Sequence, residues 1–228
     1  MLLLAVVGCS VGGRAHRTQE LRGDLSALDT AVRSVSADRG FVLSSVDAVQ
    51  TGAAALDRTD AVCAGGDGVA ARTSHRLSLP LSQKAREALA ALPRRIADYQ
   101  SALRSLAAAS SLVSGAPRDA LTEVVHGGEA EAAAVLVFRT SVAKAWPQYD
   151  LLDGNEGTWI TRAVTPWYRT HAEAAAAYAV LVSPSRPALE RARVSLGAAA
   201  DAVRVPSMAQ SATLAAADKA LQGLRAPA

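Results

Sequence analysis

The sequence predicts an all-α protein, a helical bundle of five to seven helices with a long N-terminal heptad hairpin, and three observations carry that prediction. Ala supplies 51 of the 228 residues and aromatics only 4%. That mix is rich in helix formers and poor in the β-branched and aromatic residues that sheets select. Half the residues are apolar, which excludes global disorder and leaves enough for a buried core. Apolar positions recur at four-three spacing in several long stretches, the stripe of a helix rather than the alternation of a strand. The length fits one large domain or two small ones. The charge of +3 is mild, and only Lys84, Lys144 and Lys219 are lysines, so nucleic acid is not implied as a partner.

The chain opens with MLLLAVVGCS, an apolar run that ends at Gly8 and Cys9. Val6-Val7-Gly8-Cys9 resembles the lipobox of bacterial lipoproteins: Leu, Val or Ile, then a small or apolar residue, then Gly, Ala or Ser, then Cys. The resemblance covers residues 1–10 alone. It implies cleavage before Cys9, lipidation of the Cys9 sulfur, and a mature chain held extracytoplasmically on the outer face of a cell membrane. Two or three acyl chains, at about 0.8 kcal/mol per buried CH₂, make a stable anchor. A secretory signal begins with positive charge, but the first basic side chain is Arg14, so residues 1–8 read as a truncated signal. A lipidated Cys9 leaves Cys63 as a buried thiol. Without the lipid, a Cys9–Cys63 disulfide or two thiols remain open. Residues 9–16, with their Gly and Ser, read as a tether, and no later stretch reaches the roughly 18 consecutive apolar residues of a membrane span.

Residues 17–113 read as a long antiparallel helical hairpin. Leu21, Leu25, Leu28, Val32, Val35, Arg39, Val42, Val46, Val49, Ala53 and Leu56 hold a coiled-coil register, and a helix of about 45 residues is about 65 Å long. The register continues to Asp60 and Cys63. Residues 64–80, rich in Gly and Ser, predict a loop. Ser82 is the expected N-cap of a second helix, with Ala85, Leu89, Leu92, Ile96, Tyr99, Leu103, Leu106, Ser110 and Val113 on its seam and a kink or break at Pro93.

Residues 114–228 read as an Ala-rich bundle packed with the hairpin. SGAPRD at 114–119 is a stop and restart, with Pro117 near the first helical position and Asp119 in the opening turn. The third helix carries Leu121, Val124 and Val125, is expected to break at Gly127 and Gly128, and resumes to Trp146. Val135 to Phe138 are apolar on every side, which argues for burial by several neighbours. Residues 147–165, between Pro147 and Pro166, predict the longest irregular connection. A short helix with Trp167, His171, Ala174, Tyr178 and Leu181 on its seam follows. Pro187 and Pro206 are expected to open two more helices.

Of nine aromatic residues, six lie between 146 and 178. Trp146, Tyr149, Trp159, Trp167 and Tyr168, beside Asp150, Asp153 and Glu156, form the candidate binding surface, suited to stacking on a sugar or planar ligand or to anchoring a partner. The same clustering also suits a small core that orders an irregular connection. Asp150 and DGNEG at 153–157 offer the hard oxygens that Ca²⁺ prefers, but in no EF-hand spacing, and read as a polar turn. Glu123, His126 and Glu129 carry the Glu-x-x-His spacing of di-metal bundles. No second such motif exists, so they read as a solvated helix end, and no metal or other cofactor is expected. His171 is expected in the core. Arg86, Arg94, Arg95 and Arg104 read as a solvated basic stripe.

Phosphate-binding Gly-rich and His-Glu-x-x-His motifs are missing from the sequence, and a non-enzyme is expected. The function that follows is a lipid-anchored binding or scaffold protein whose partner is an envelope protein or a cell-wall polymer. The alternative is a sensory bundle that binds haem, a metal or an apolar molecule.

Overall fold

The computed structural model describes residues 8–51, 58, 61–75, 82–164, 168 and 170–222, with the side chains of 8–15, 17, 51, 73–75 and 164 outside the description. Among the described residues six helices follow in order: α1 (Gly8–Thr51), α2 (Gly68–His75), α3 (Gln83–Ser110), α4 (Ala116–Val164), α5 (His171–Leu181) and α6 (Arg186–Gln222). A 3-10 turn, Ser183–Ser185, joins the last two. Among the described residues there is no strand, and the fold class is the all-α one that the sequence predicts.

In α1 the heptad positions Leu21, Leu25, Leu28, Val32, Val35, Val42, Val46 and Val49 are all buried, and Arg39 on the same seam is half-buried. The helix is already formed at Gly8, the first described residue, so the backbone of 9–16 is helical where a tether was expected. Extending a formed helix adds one hydrogen bond per residue fixed, and Gly12 and Gly13 each cost only about 1 kcal/mol against that gain.

The expected loop at 64–80 contains α2. Asp67 caps it, its Oδ1 accepting from the amides of Val69 at 3.1 Å and Ala70 at 2.9 Å. Gly66 makes the preceding turn with φ +80°, and a Cβ there would run into the carbonyl of His171. Glycine is needed at 66 on both counts. Ser82 caps α3 as predicted, accepting from the Ala85 amide at 3.2 Å. Pro93 lies inside an unbroken α3.

The largest correction concerns α4. It runs 49 residues through Gly127, Gly128 and Pro147 to Val164, so the predicted irregular connection at 147–165 is helix up to residue 164. An internal proline costs about 3 kcal/mol. Downstream, Leu152, Trp159 and Ile160 become buried, each worth about 1.5–3 kcal/mol, and that burial outweighs the penalty. The same reasoning joins the two helices expected after Pro187 and Pro206 into one: Pro206 lies within α6, flanked by buried Val203, Ser207 and Gln210. Thr170 starts α5 with a capping box, in which the Glu173 amide donates to Thr170 Oγ1 at 3.2 Å and the Thr170 amide to Glu173 Oε2 at 3.0 Å.

The chain forms two compact units, Met1–Ala37 with Ala91–Leu136 and Ala202–Ala228, and Asp38–Ala90 with Val137–Asp201. The four long helices each contribute a segment to each unit, so these units do not follow the chain halves 17–113 and 114–228. In the first unit the core is mainly Leu and Val from all four helices, with Ile96 and Tyr99, and the Arg22 guanidinium reaches across to the Leu221 carbonyl at 3.2 Å. In the second, Cys63, Ala71, Leu152, Trp159, Ile160, Ala174, Tyr178, Val182 and Leu189 pack together. Among the described residues Cys63 is a buried thiol in no disulfide.

Candidate functional site

Continuing α4 past Pro147 decides where the aromatic candidates sit. Positions 121, 124, 128, 131, 135, 138, 142, 145, 149, 152, 156, 159 and 163 step by three and four, so one face of one helix carries Tyr149, Glu156 and Trp159 inward. Trp146, Glu156 and Trp159 are 3%, 1% and 0% exposed; they are not surface residues, which corrects their assignment to an exposed binding face. The Trp159 indole donates to the Ala174 carbonyl at 2.7 Å and meets Tyr178 edge-on at 5.3 Å. Tyr149 and Tyr168 are half-buried against the same cluster. Trp167 lies outside the described residues.

The acids of this region do not converge. Asp150 is exposed and takes a bidentate pair from Arg86 at 2.8 and 3.2 Å, worth at most about 1 kcal/mol at such exposure. Asp153 is half-buried and Glu156 fully buried, and 153–157 are helical rather than a turn. The helix geometry supplies no ring of oxygens for Ca²⁺ here. Glu123, His126 and Glu129 are all exposed on α4, the solvated helix face predicted. No group of three or more His, Cys, Asp or Glu among the described residues is placed to hold a metal. His171 is exposed at the start of α5 rather than in the core, because the buried face of that helix is Ala174 and Tyr178 and residue 171 serves in the capped first turn.

Trp146 and Tyr149 stack with centroids 5.3 Å apart and planes 23° apart. Trp146 Nε1 and Tyr149 Oη are both buried without a hydrogen-bond partner. Burial pushes the Tyr149 phenol up to about 12; Arg193 lowers it and Glu190 raises it by smaller amounts. Buried polar atoms normally find partners, so packing alone leaves this pair unexplained.

The sequence reading missed a buried polar cluster in the first unit. Glu131 and Gln210 are 1% and 0% exposed. Tyr99 donates to Glu131 Oε2 at 3.0 Å, Gln210 Nε2 to the Val124 carbonyl at 3.2 Å, and Thr213 to Gln210 Oε1 at 3.1 Å. Gly128 makes the space: a Cβ there would strike the Leu103 side chain and lie 2.9 Å from Tyr99 Oη and 3.0 Å from Gln210 Nε2. Carrying the four-three register through Gly127 and Gly128 places Glu131 on the seam, and that was the available signal. On the outside of this unit, Arg22, Leu25, Asp29, Val32, Leu214 and Asp218 line part of a groove of about 660 Å³, with Arg33 paired to Asp29 at 2.7 Å.

No protein-family model matches the chain, and neither a curated protein nor a solved structure is significantly similar to it.

Proposed function

We propose that this chain is a non-enzymatic, lipid-anchored helical scaffold or binding protein on the outer face of a cell membrane, held there through Cys9. The observation that carries this reading is the sequence Val6-Val7-Gly8-Cys9 at the end of an apolar run. Helix α1 supports it mechanically. Its backbone is helical from Gly8, and about 18 Å of helix lies between Cys9 and the buried Leu21. Buried Glu131 is held by a hydrogen bond from Tyr99, a structural role that suits a scaffold. The partners in this reading are the membrane and an envelope protein or cell-wall polymer.

Intact mass and membrane fractionation of the chain, expressed in a Gram-positive host behind a complete signal and compared with Cys9→Ala, test the anchor. The expected result is a diacylglyceryl increment with membrane retention, both lost in the variant. An unmodified chain contradicts the reading.

One observation favours a second reading, a bundle that takes a small ligand: the stacked Trp146 and Tyr149 leave Nε1 and Oη buried and unsatisfied. A Soret band or stoichiometric metal in the purified protein would favour it, and a colourless, metal-free protein would leave the scaffold reading alone.

A further inference from the structure

In the first unit α4 and α6 each bury a stripe that steps by three, four or seven residues. On α4 it is Leu121, Val124, Gly128 and Val135, and on α6 it is Val203, Ser207, Gln210, Ala217 and Leu221. Two stripes of equal period can slide past one another by a helical turn, about 5.4 Å, and still set small and apolar side chains together. Apolar spacing alone therefore leaves the register of α6 against α4 open. Gln210, fully buried in the middle of the α6 stripe, is the exception to that freedom. Its Nε2 donates to the Val124 carbonyl at 3.2 Å, and its Oε1 accepts from Thr213 Oγ1 at 3.1 Å. The carboxamide lies over bare backbone: a Cβ at Gly127 would come within 2.6 Å of Oε1, and one at Gly128 within 3.0 Å of Nε2. These two are the only adjacent glycines in α4.

We propose that Gln210, seated over the Gly127–Gly128 gap, fixes the register of α6 against α4. Sliding α6 by three or four residues in either direction brings Val124 or Glu131 beneath the carboxamide. Both are buried and both carry side chains, so the amide would have to leave the gap or lose its partners, and a buried amide without partners is costly. A single polar side chain on an apolar helix seam sets register by the same physics in coiled coils. The gap serves α3 as well, because the Tyr99 hydroxyl that donates to Glu131 would lie 2.9 Å from a Cβ at Gly128. In this account Gln210 supplies specificity rather than stability. An apolar residue of similar size at 210 strands no polar group, since Thr213 Oγ1 also donates to the main-chain carbonyl of residue 210 at 3.0 Å and Val124 lies within the unbroken α4 helix. This inference goes beyond the anchor and ligand readings and depends on neither.

Amide ¹H–¹⁵N correlation spectra of the full chain carrying Cys9→Ala, beside the same chain with Gln210→Leu, read the register directly. The parent should give one sharp set of peaks for residues 121–135 and 203–217. Gln210→Leu should melt at the parent's midpoint or above it, yet double or broaden those peaks as registers one turn apart become populated. Gly127→Ala, which pushes the carboxamide out of the gap, should double the same peaks and lower the midpoint. Adding Gln210→Ala to it should raise the midpoint again and leave the doubling in place, whereas a merely steric fault would be cured in both readouts. A single sharp set in Gln210→Leu, a Gln210→Leu chain that melts well below the parent, or a Gly127→Ala chain with the parent's spectrum would overturn the proposal.

Discussion

The two units of this chain draw on the same four long helices and the same heptad rule, yet they fill their cores by opposite means. In the second unit the space is taken up by rings, with Trp159 donating to Ala174 and meeting Tyr178 edge-on. In the first, Gly128 leaves room in which Tyr99, Glu131 and Gln210 form hydrogen bonds. Apolar periodicity therefore settles which positions face inward, while side-chain volume and hydrogen bonding settle how each inward position is satisfied. A glycine can be as much a packing residue as a tryptophan.

The strongest way to break this comparison is to empty the aromatic core. Trp159→Ala should cost about 3–5 kcal/mol, read as a lower denaturation midpoint at unchanged m-value, and Trp159→Phe should cost less, chiefly through the lost bond to the Ala174 carbonyl. The glycine side is tested next. Gly128→Ala should destabilise by about 1–3 kcal/mol because the new methyl overpacks Leu103 and Tyr99. At Gly23, where a Cβ meets nothing within 4 Å, the same exchange should instead stabilise by about 0.5–1 kcal/mol through helix propensity. Paired thermal melts of these two variants give opposite signs if Gly128 is a packing residue.

Polar satisfaction separates the two tyrosines by a smaller margin. Tyr99→Phe leaves Glu131 without the 3.0 Å bond and should cost about 1–2 kcal/mol. Tyr149→Phe removes a buried hydroxyl that has no partner and should be neutral or stabilising by less than about 1 kcal/mol. The Tyr149 phenol, raised from 10 to about 12 by burial, stays protonated in the fold after it would ionise in the unfolded chain. Its contribution is therefore intact below pH 10 and lost as the pH rises toward 12. Across that window the wild type should lose stability more steeply than Tyr149→Phe, as alkaline melts would show.

The fold class and the first two seams were legible because Leu, Val and Ile mark them from Leu21 to Val49, broken at Arg39, and from Leu92 to Leu106, with Tyr99 between. What could not be read locally was the outcome at Gly127, Gly128, Pro147 and Pro206. Each is a helix breaker by intrinsic propensity, and each is overridden by burial on either side, a tertiary gain that no short window contains. The misplaced aromatic site follows from that one error. Read as a connection, 147–165 offers Tyr149, Glu156 and Trp159 to solvent; read as helix, it turns them inward. The Ser82 cap and the first-turn acid Asp119 were legible because they are local, and Asp67 before α2 was an equally local signal that the Gly-rich surroundings obscured.

Hydrogen–deuterium exchange over residues 148–163 tests the continuous α4 helix most directly, because it asks whether backbone amides beyond Pro147 are hydrogen-bonded. The structure predicts protection comparable to that of residues 129–146, with the amides near Trp159 among the slowest. Exchange of 148–163 at the unprotected rate would contradict it and return Trp146, Tyr149 and Trp159 to an open, ligand-facing connection.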